Sequence, residues 1–272
     1  GIPFISKEAK PKRDEALEYY RRIVTSNQLE IHLFEEVTKV HREAGKGFTV
    51  ETREKNYRAE NVIIATGFYD LPNLLGVPGE DLEKVSHYYK DPHFYASQKL
   101  AVIGASNSAV DAALECWRKG AEVTMIVRGP EIGTRVKYWV RPDILNRIEE
   151  GSIKAFFSSA VTEIRPRELV VQNPEGEIVL PNDFVLALTG YQPNFEFLKA
   201  AGVRLSGDEK MLPDYDPDTM ETNVPGLYLA GVICGGMETH KWFIENSREH
   251  AGIIIGDILR KKAAQPVEKQ TS

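Results

Sequence analysis

The sequence has few cysteines, no long apolar run and no excess of positive charge. Only Cys116 and Cys234 occur among 272 residues, with no CxxC pair, which excludes a disulfide framework and favours a reducing, cytoplasmic compartment. No apolar run approaches the roughly 20 residues that cross a bilayer. The net charge of −6 argues against nucleic acid or a membrane surface as a partner. The histidines and cysteines lack metal-ligand spacing, so we expect no metal.

A glycine turn lies near the middle of the chain. Residues 99–103 (KLAVI) and 122–127 (EVTMIV) predict two strands, and the stretch between them predicts a helix that follows Gly104. This order within about 30 residues is the context of a dinucleotide-binding fingerprint. A helix N-terminus there presents N–H groups and a partial positive charge to a pyrophosphate. A structural turn that binds nothing is the alternative, because a single fingerprint is weak evidence.

Each residue of this turn has a predicted role. Gly104 permits the tight turn, and Ala109 is small enough for the helix to pack on the strand. Ser106 stands where the fingerprint usually has glycine; its side chain hinders the closest backbone approach, but its hydroxyl can donate to a phosphate. Asn107 and Ser108 are candidate N-caps of the helix. We therefore predict that all five residues line a nucleotide site.

The residues after the second predicted strand indicate which nucleotide binds. A site for NAD has an acid at this strand end, whereas this sequence has Arg128, followed by Arg135 and Lys137. An arginine there suits the 2′-phosphate of NADP. A solvated basic loop is the alternative interpretation. The sequence predicts NADPH as a cofactor, with Arg128 and Arg135 among its contacts.

The chain contains two similar halves. The matching segments are EEVTKV (35–40) with SAVTEI (159–164), the turn-rich stretches 48–62 and 168–185, and VIIATGFYDLPN (62–73) with VLALTGYQPN (185–194). Each half therefore resembles one nucleotide-binding unit, and a duplication is the economical explanation.

The spacing of the second half predicts where the first glycine turn lies. The separations from the central glycine turn to Val161 and to Thr189, applied to Val37 and Thr66, give two estimates that agree. Both place the first turn about twenty residues upstream of the printed sequence. We therefore expect a glycine turn of the natural protein to precede this sequence.

The two ends of the chain predict further elements. Residues 222–236 (TNVPGLYLAGVICGG) predict a strand with a glycine-rich turn, and residues 240–261 predict a helix whose N-terminus can face an electron-rich group. Near the start, residues 12–24 predict a surface helix with a buried side formed by Leu17, Tyr20 and Val24.

The order of these motifs resembles the low-molecular-weight thioredoxin-reductase-like flavoproteins over nearly the whole chain. The motifs are ATG (65–67), the central turn, TG (189–190) and LYLAG (227–231) with a following helix. The resemblance implies an α/β fold with two nucleotide-binding three-layer (β-β-α sandwich) domains. Residues 1–91 and 192–262 form the FAD domain, split around an NADPH domain at 92–191, and residues 263–272 form a flexible tail.

The same resemblance implies a set of FAD contacts. Thr66 and Gly67 lie near the pyrophosphate, and Gly231 lies near the ribityl chain. The start of the last helix, residues 242–244, approaches the isoalloxazine, where a helix N-terminus stabilises the anionic reduced flavin. The remaining implied cofactor-binding residues are Val37, Gly190, Val232, Phe243 and Ile244.

Two differences from the thioredoxin reductases indicate a subfamily. Residues 85–100 (VSHYYKDPHFYASQKL) lack the CxxC of thioredoxin reductases, and Val232 replaces their usual aspartate. Together with Ser106, the stretches 88–95 (YYKDPHFY) and 137–144 (KYWVRPDI) are similar to the bacillithiol-disulfide reductases. That subfamily implies electron transfer from NADPH through FAD to a small disulfide by way of one cysteine in the first glycine turn. The catalytic residue is therefore expected upstream of the sequence, and we also expect a homo-oligomer.

The roles of three further residues and two alternative functions complete the predictions. Cys116 is expected to be a structural thiol, as is Cys234 despite its place in the turn near the flavin. His240 is a helix-start residue that can also protonate the flavin or a leaving thiolate.

The first alternative function is a ferredoxin- or flavodoxin-NADP reductase, which has the same fold without CxxC. The second is an inactive remnant that binds only NADP.

Overall fold

The computed structural model describes residues 1–8, 11–43 and 47–264. Up to residue 95 its elements are α1 (Arg13–Asn27), β1 (Val37–Arg42), β2 (Phe48–Thr52), β3 (Asn56–Ala59), β4 (Val62–Ile64), β5 (Leu71–Pro72), β6 (Val85–Ser86) and a 3₁₀ helix (Pro92–Tyr95). The middle of the chain forms β7 (Lys99–Ile103), α2 (Asn107–Arg118), β8 (Glu122–Ile126), α3 (Arg141–Glu149), β9 (Lys154–Phe156), β10 (Ala160–Ile164), β11 (Glu168–Asn173), β12 (Gly176–Pro181) and β13 (Phe184–Ala187). The last elements are β14 (Tyr191–Gln192), α4 (Phe195–Ala200), β15 (Leu227–Leu229), a 3₁₀ helix (Gly231–Gly235), α5 (Ile244–Ser247) and α6 (His250–Ala264).

A five-stranded parallel sheet forms around the central glycine turn. Its strand order is β6-β13-β7-β8-β9. The strand–turn–helix–strand order predicted from the sequence is confirmed. Helix α2 packs on this sheet through the small, fully buried side chains of Ala109, Ala112 and Ala113, which let the helix backbone approach closely. It ends before Gly120, whose φ of +89° suits a residue that follows a helix C-terminus.

Two antiparallel three-stranded sheets confirm the internal repeat. One has the order β1-β2-β3 and the other β10-β11-β12. Each sheet carries a register irregularity at an equivalent threonine, Thr38 in the first half and Thr162 in the second. Each threonine hydroxyl donates a hydrogen bond to a carbonyl oxygen of the neighbouring strand. Because the same bulge occurs at the same place in both halves, the two halves share one structural plan.

The two halves differ in the strands that pair with β4 and with its counterpart β13. In the second half, β13 lies between β6 and β7. Its counterpart β4 pairs in parallel with β15 on one side, and no described residue pairs with its other side. The strand β7 and the turn at Gly104 thus have no counterpart among the described residues of the first half. The upstream position of the first glycine turn stays a prediction.

The two halves meet at a short antiparallel pair. Strand β5 pairs with β14 where the chain passes between the halves. Beside it Tyr69, Tyr88 and Tyr191 form an aromatic cluster with centroid separations of 4.2 to 5.3 Å. Strand β6 belongs to the five-stranded sheet although it precedes the predicted domain boundary at residue 92. The division into FAD and NADPH domains stays a proposal.

Helix α1 corrects one prediction. Its bounds cover the predicted residues 12–24 except Lys12, but no residue of the helix is buried. Leu17 and Tyr20 are 44% and 50% exposed, so the predicted buried side formed by Leu17, Tyr20 and Val24 is wrong. The amphipathic spacing is present, but the described residues bury none of the helix's apolar side chains. A periodic pattern predicts which side is apolar and does not supply the surface that buries it.

The C-terminal helix also differs from its prediction. The predicted span 240–261 contains a turn followed by α5 and α6. The Asn246 side chain accepts a hydrogen bond from Phe243 N–H at 2.7 Å and donates one to Lys241 O at 2.9 Å. These bonds occupy backbone groups that a helix starting at residue 240 would use. The predicted tail begins inside α6, which reaches Ala264, and residues 265–272 lie outside the described part.

Two absences hold for the described residues. No helix among them is long and apolar enough to cross a membrane. In the same part of the chain, no group of three or more His, Cys, Asp or Glu side chains is arranged to hold a metal ion.

Candidate functional site

Three strand ends bring the predicted NADPH residues together. Strands β7, β8 and β13 are parallel neighbours, so their carboxyl ends lie at one edge of the sheet. Gly104 follows β7, Arg128 follows β8 and Gly190 follows β13. Ligands of open α/β sheets bind at this edge. Residues far apart in sequence thus form one candidate nucleotide site.

Gly104 occupies a position that only glycine fits. Its φ is +133°, and a Cβ built on it would lie 2.5 Å from the carbonyl oxygen of Leu188, at the end of β13. Its N–H donates to Ile126 O at 3.1 Å, at the end of β8. The turn is therefore held between the two neighbouring strands. This close approach is the one that the fingerprint glycine permits.

The first turn of α2 has no side-chain cap. Ser106 is the N-cap residue, with extended backbone, and no side chain accepts from the first-turn N–H groups. The predicted capping by Asn107 or Ser108 is wrong, since the Asn107 side chain bonds elsewhere. Ser106 and Ser108 are exposed, and Ala109 is buried against the sheet as predicted. Uncapped N–H groups at the start of a helix suit a phosphate.

The loop after β8 folds back onto the glycine turn. Gly133 N–H donates to Ala105 O at 3.0 Å. The Asn107 side chain accepts from Lys137 N–H at 2.9 Å and donates to Arg135 O at 3.2 Å. The sequence did not reveal this arrangement, because the spacing between the turn and a loop thirty residues away carries no periodic signal.

Two arginines of this loop have unpaired charges. Arg128 and Arg135 are exposed, and neither guanidinium has a hydrogen-bond or ion-pair partner among the described residues. Their basic neighbours are paired, Lys137 with Asp111 at 2.7 Å and Arg141 with Glu131. Free guanidinium groups beside an uncapped helix N-terminus fit a phosphate-rich nucleotide such as NADPH.

A second edge collects the predicted FAD residues. Strands β4 and β15 are parallel, and Ala230 N–H donates to Ile64 O at 3.0 Å where they end. Gly67 and Gly231 follow these strand ends with φ of +73° and +80°, and a Cβ on either would meet no atom within 4 Å. Thr66 is exposed and Val232 half-buried. The edge is open to an elongated ligand, so these residues fit part of a flavin nucleotide site.

His250 is a residue of this edge that sequence reasoning missed. It is buried at the start of α6, and its Nδ1 accepts from Gly231 N–H at 3.1 Å. Its ring packs edge-on against Trp242, with the centroids 4.6 Å apart. Burial lowers the pKa of His250, which favours the neutral ring that can accept this bond. A histidine inside an apolar helix gives no signal of such a contact in the sequence.

The two cysteines have inert surroundings. Cys116 lies in α2 and Cys234 in the turn after β15, and both are free and buried. Burial raises the pKa of each thiol to about 12. His250 Nδ1 lies 4.0 Å from the Sγ of Cys234 and accepts a hydrogen bond from Gly231 N–H. Because the thiolate is the nucleophile, neither residue suits thiol exchange near neutral pH.

The remaining predicted residues lie apart from these contacts. His240 is exposed in the turn before α5. Phe243 and Ile244 are 54% and 74% exposed at the start of α5, and Val37 is 41% exposed at the start of β1. The carbonyl oxygen of Gly190 accepts from Asn73 N–H at 2.9 Å, which places Gly190 at the crossing between the halves. The roles of these residues stay predictions.

Comparison with known proteins identifies the relatives. The family model described as pyridine nucleotide-disulphide oxidoreductase matches residues 1–231. The bacilliredoxin reductase Bdr of Bacillus subtilis is 42% identical over 262 residues, which are 96% of this chain and 81% of that protein. The structure of bacillithiol disulfide reductase Bdr from Bacillus cereus has a TM-score of 0.92 and 40% identity, and the match again covers 96% and 81% of the two chains.

A further relative has a different name. The ferredoxin–NADP reductase of Ignicoccus hospitalis is 32% identical over 206 residues, which are 73% of this chain and 64% of that protein. The predicted fold class and the predicted resemblance to bacillithiol-disulfide reductases are confirmed. The chain belongs to the pyridine nucleotide-disulphide oxidoreductase family, which implies FAD and NADPH as its cofactors.

Proposed function

We propose that the protein reduces a low-molecular-weight disulfide, bacillithiol disulfide, with electrons from NADPH carried by FAD. NADPH and a proton supply two electrons and two hydrogens, the S–S bond breaks, and a pair of thiols leaves. The observation that carries this proposal is the pair of unpaired guanidinium groups beside the Gly104 turn, in a chain similar over nearly its whole length to two Bdr proteins.

The NADPH side of the proposal uses residues of one sheet edge. The first-turn N–H groups of α2 and the Ser106 hydroxyl hold the pyrophosphate. Arg128 and Arg135 hold the 2′-phosphate, because guanidinium groups form charge-assisted hydrogen bonds with phosphate oxygens. Gly104 allows the turn to sit between two strands, and Ala109 allows α2 to start close to the sheet.

The FAD side uses the ends of β4 and β15. FAD, when bound, accepts electrons from the nicotinamide and passes them to the disulfide. Thr66 and Gly67 contact its pyrophosphate, and Gly231 and Val232 its ribityl chain. The neutral His250 holds Gly231 N–H and thereby fixes the turn. Val37, Phe243 and Ile244 complete the proposed FAD contacts, with the α5 N-terminus toward the isoalloxazine. Gly190 follows β13 and belongs to the proposed NADPH edge.

Thiol exchange is not assigned to either cysteine of this sequence. Their buried thiols stay protonated near neutral pH, since burial raises each pKa to about 12. The family resemblance assigns exchange to a cysteine in the first glycine turn. We further propose that the enzyme is a cytoplasmic homo-oligomer without a nucleic-acid partner, with residues 1–91 and 192–262 as the FAD domain and 92–191 as the NADPH domain.

An anaerobic stopped-flow experiment tests this proposal. The natural protein, loaded with FAD, is mixed with NADPH or NADH, and the visible flavin band is followed. We expect rapid bleaching with NADPH and slower bleaching with NADH. Bacillithiol disulfide added to the reduced protein restores the band. Absence of bleaching, or bleaching without reoxidation by any small disulfide, would contradict the proposal.

A second candidate function is ferredoxin–NADP reduction. The relative from Ignicoccus hospitalis favours it, as does the absence of CxxC from residues 85–100. The net charge of −6 disfavours an acidic carrier protein, because like charges slow the encounter. Reoxidation by ferredoxin and not by disulfide in the same stopped-flow experiment would support this second function.

A further inference from the structure

We propose that Asn107 is a positioning residue that holds Arg135 in place for the 2′-phosphate and thereby sets the preference for NADPH over NADH. The inference rests on the proposed nucleotide assignment of the Gly104 edge. It gives Asn107 a role that differs from capping α2 and from touching the nucleotide.

The geometry joins the glycine turn to the arginine loop. One Asn107 amide group uses its oxygen for Lys137 N–H and its nitrogen for Arg135 O, so it grips the backbone on both sides of Val136. Val136 itself is buried in the core beneath the loop. The backbone at Arg135 is therefore fixed although its side chain is exposed.

Two other contacts hold the same loop. A Cβ on Gly133 would lie 2.8 Å from Ala105 O, so the loop approaches the turn as closely as glycine allows. Lys137 Nζ forms an ion pair with Asp111 at 2.7 Å on the exposed surface of α2. Exposed ion pairs contribute little, so the Asn107 hydrogen bonds, the Gly133 contact and the burial of Val136 are the main restraints.

Fixing Arg135 affects selectivity because the two nucleotides differ only in the 2′-phosphate. A mobile loop would have to be ordered when the phosphate binds, which weakens binding. NADH makes no such contact and loses nothing when the loop is loosened. The Asn107 side chain caps no N–H of α2, so removing it leaves the pyrophosphate contacts in place.

Isothermal titration calorimetry on the FAD-loaded protein tests the inference. The probes are NADP⁺ and NAD⁺, which do not reduce the oxidised flavin, with 2′,5′-ADP and 5′-AMP as fragments. We expect Asn107→Ala to reduce the NADP⁺:NAD⁺ affinity ratio about tenfold and the fragment ratio similarly, as when a charge-assisted contact is weakened. Thr134→Ala is the matched control, since Thr134 is exposed in the same loop and its side chain makes no hydrogen bond with the described residues.

A double-variant cycle separates positioning from general damage. Arg135→Ala should lower the ratio at least as much, and Asn107→Ala should have little further effect on that background, because both act through one contact. An unchanged ratio in Asn107→Ala, an equal loss for both nucleotides, or additive losses would overturn the inference.

A second variant tests the inference if Asn107→Ala does not fold. Gly133→Ala disturbs the contact of the loop with Ala105 O, and we expect it to lower the affinity ratio as much as Asn107→Ala does. An unchanged affinity ratio in a folded Gly133→Ala protein would count against the inference. Because these measurements use no disulfide, their outcome is independent of the proposed acceptor. A protein that shows the selectivity change without disulfide turnover would refute the proposed function and leave the role of Asn107 standing.

Discussion

At the scale of residues, Gly104 is a tightly constrained position in the turn proposed to bind NADPH. Its positive φ and the 2.5 Å approach of its ideal Cβ to Leu188 O leave no room for a side chain. The backbone cannot move away without separating β7 from β13, which pair along their length. The ideal Cβ of Gly133 would also lie too close to a carbonyl oxygen, at 2.8 Å from Ala105 O. By contrast, a Cβ on Gly252 would meet no neighbouring atom within 4 Å.

Gly104→Ala is therefore expected to lower NADP⁺ affinity more than tenfold and to destabilise the fold by about 1–3 kcal/mol, as strained backbone positions do. Calorimetric titration and urea denaturation measure the two effects. The control, Gly252→Ala in α6, should be neutral or stabilising by up to about 1 kcal/mol. Equal behaviour of the two variants would contradict the packing argument.

The two thiols carry a prediction about reactivity. Since burial raises the pKa of Cys116 and of Cys234 to about 12, iodoacetamide should leave both unmodified in the folded protein and modify both after denaturation. Peptide mass spectrometry reports the two states. Rapid labelling of Cys234 in the native protein would reopen the question of its redox role.

His250 predicts a pH dependence of stability. Burial lowers its pKa below the ordinary 6.5, so the unfolded chain binds this proton more readily than the folded one. The neutral ring therefore contributes to the free energy of unfolding above pH 6.5. This contribution is lost as the pH falls through the depressed pKa of the folded state. Urea denaturation between about pH 7.5 and about pH 5.5 should show this loss, and His250→Gln should reduce it. The exposed His93 offers a control, His93→Gln, whose profile should match that of the wild type.

At the scale of elements, the crossing between the halves is held by β5, β14 and the tyrosine cluster. Tyr191 is 9% exposed, and its hydroxyl donates to His87 O at 2.6 Å. The hydroxyl of Tyr88 donates to Asp70 O at 2.9 Å. Thr189 Oγ1 also donates to Asn73 O at 2.5 Å. These contacts hold together the segments that pass between the halves.

Tyr191→Phe should keep the ring packing and lose this hydrogen bond, with a cost of about 0.5–1.5 kcal/mol in the free energy of unfolding. Tyr138→Phe is the matched control, because Tyr138 is 83% exposed and, among the described residues, forms only an aromatic contact with Trp139. Chemical denaturation of both variants tests the difference. A cost as small as that of the control would show that the crossing is not stabilised by this bond.

Sequence patterns predicted the elements whose signals are local. The strands around Gly104 and the paired hairpins have apolar alternation, turn residues and an internal copy that support the same assignment. The bonds of Asn107, the contact of His250 with Gly231 and the exposure of α1 depend on residues distant in sequence. A pattern specifies which side of an element is apolar, and the tertiary fold determines what that side touches.

At the scale of the whole molecule, the proposed function assigns one nucleotide to each of two sheet edges. The edge at Gly104 has the glycine turn, the uncapped helix and the unpaired arginines. The edge at Gly231 has open strand ends and a histidine-held turn. Strand β4 of the second edge has one side that pairs with no described residue. The proposed chemistry requires electrons to pass from a nucleotide at the first edge to a flavin at the second.

The measurement that tests the central claim most directly is the stoichiometry of turnover under anaerobic conditions. NADPH oxidation and thiol release are quantified together, with the FAD-loaded protein and bacillithiol disulfide as the acceptor. The account predicts a pair of thiols for every NADPH oxidised and little turnover with NADH. NADPH consumption without thiol release, or equal rates with NADH, would contradict it.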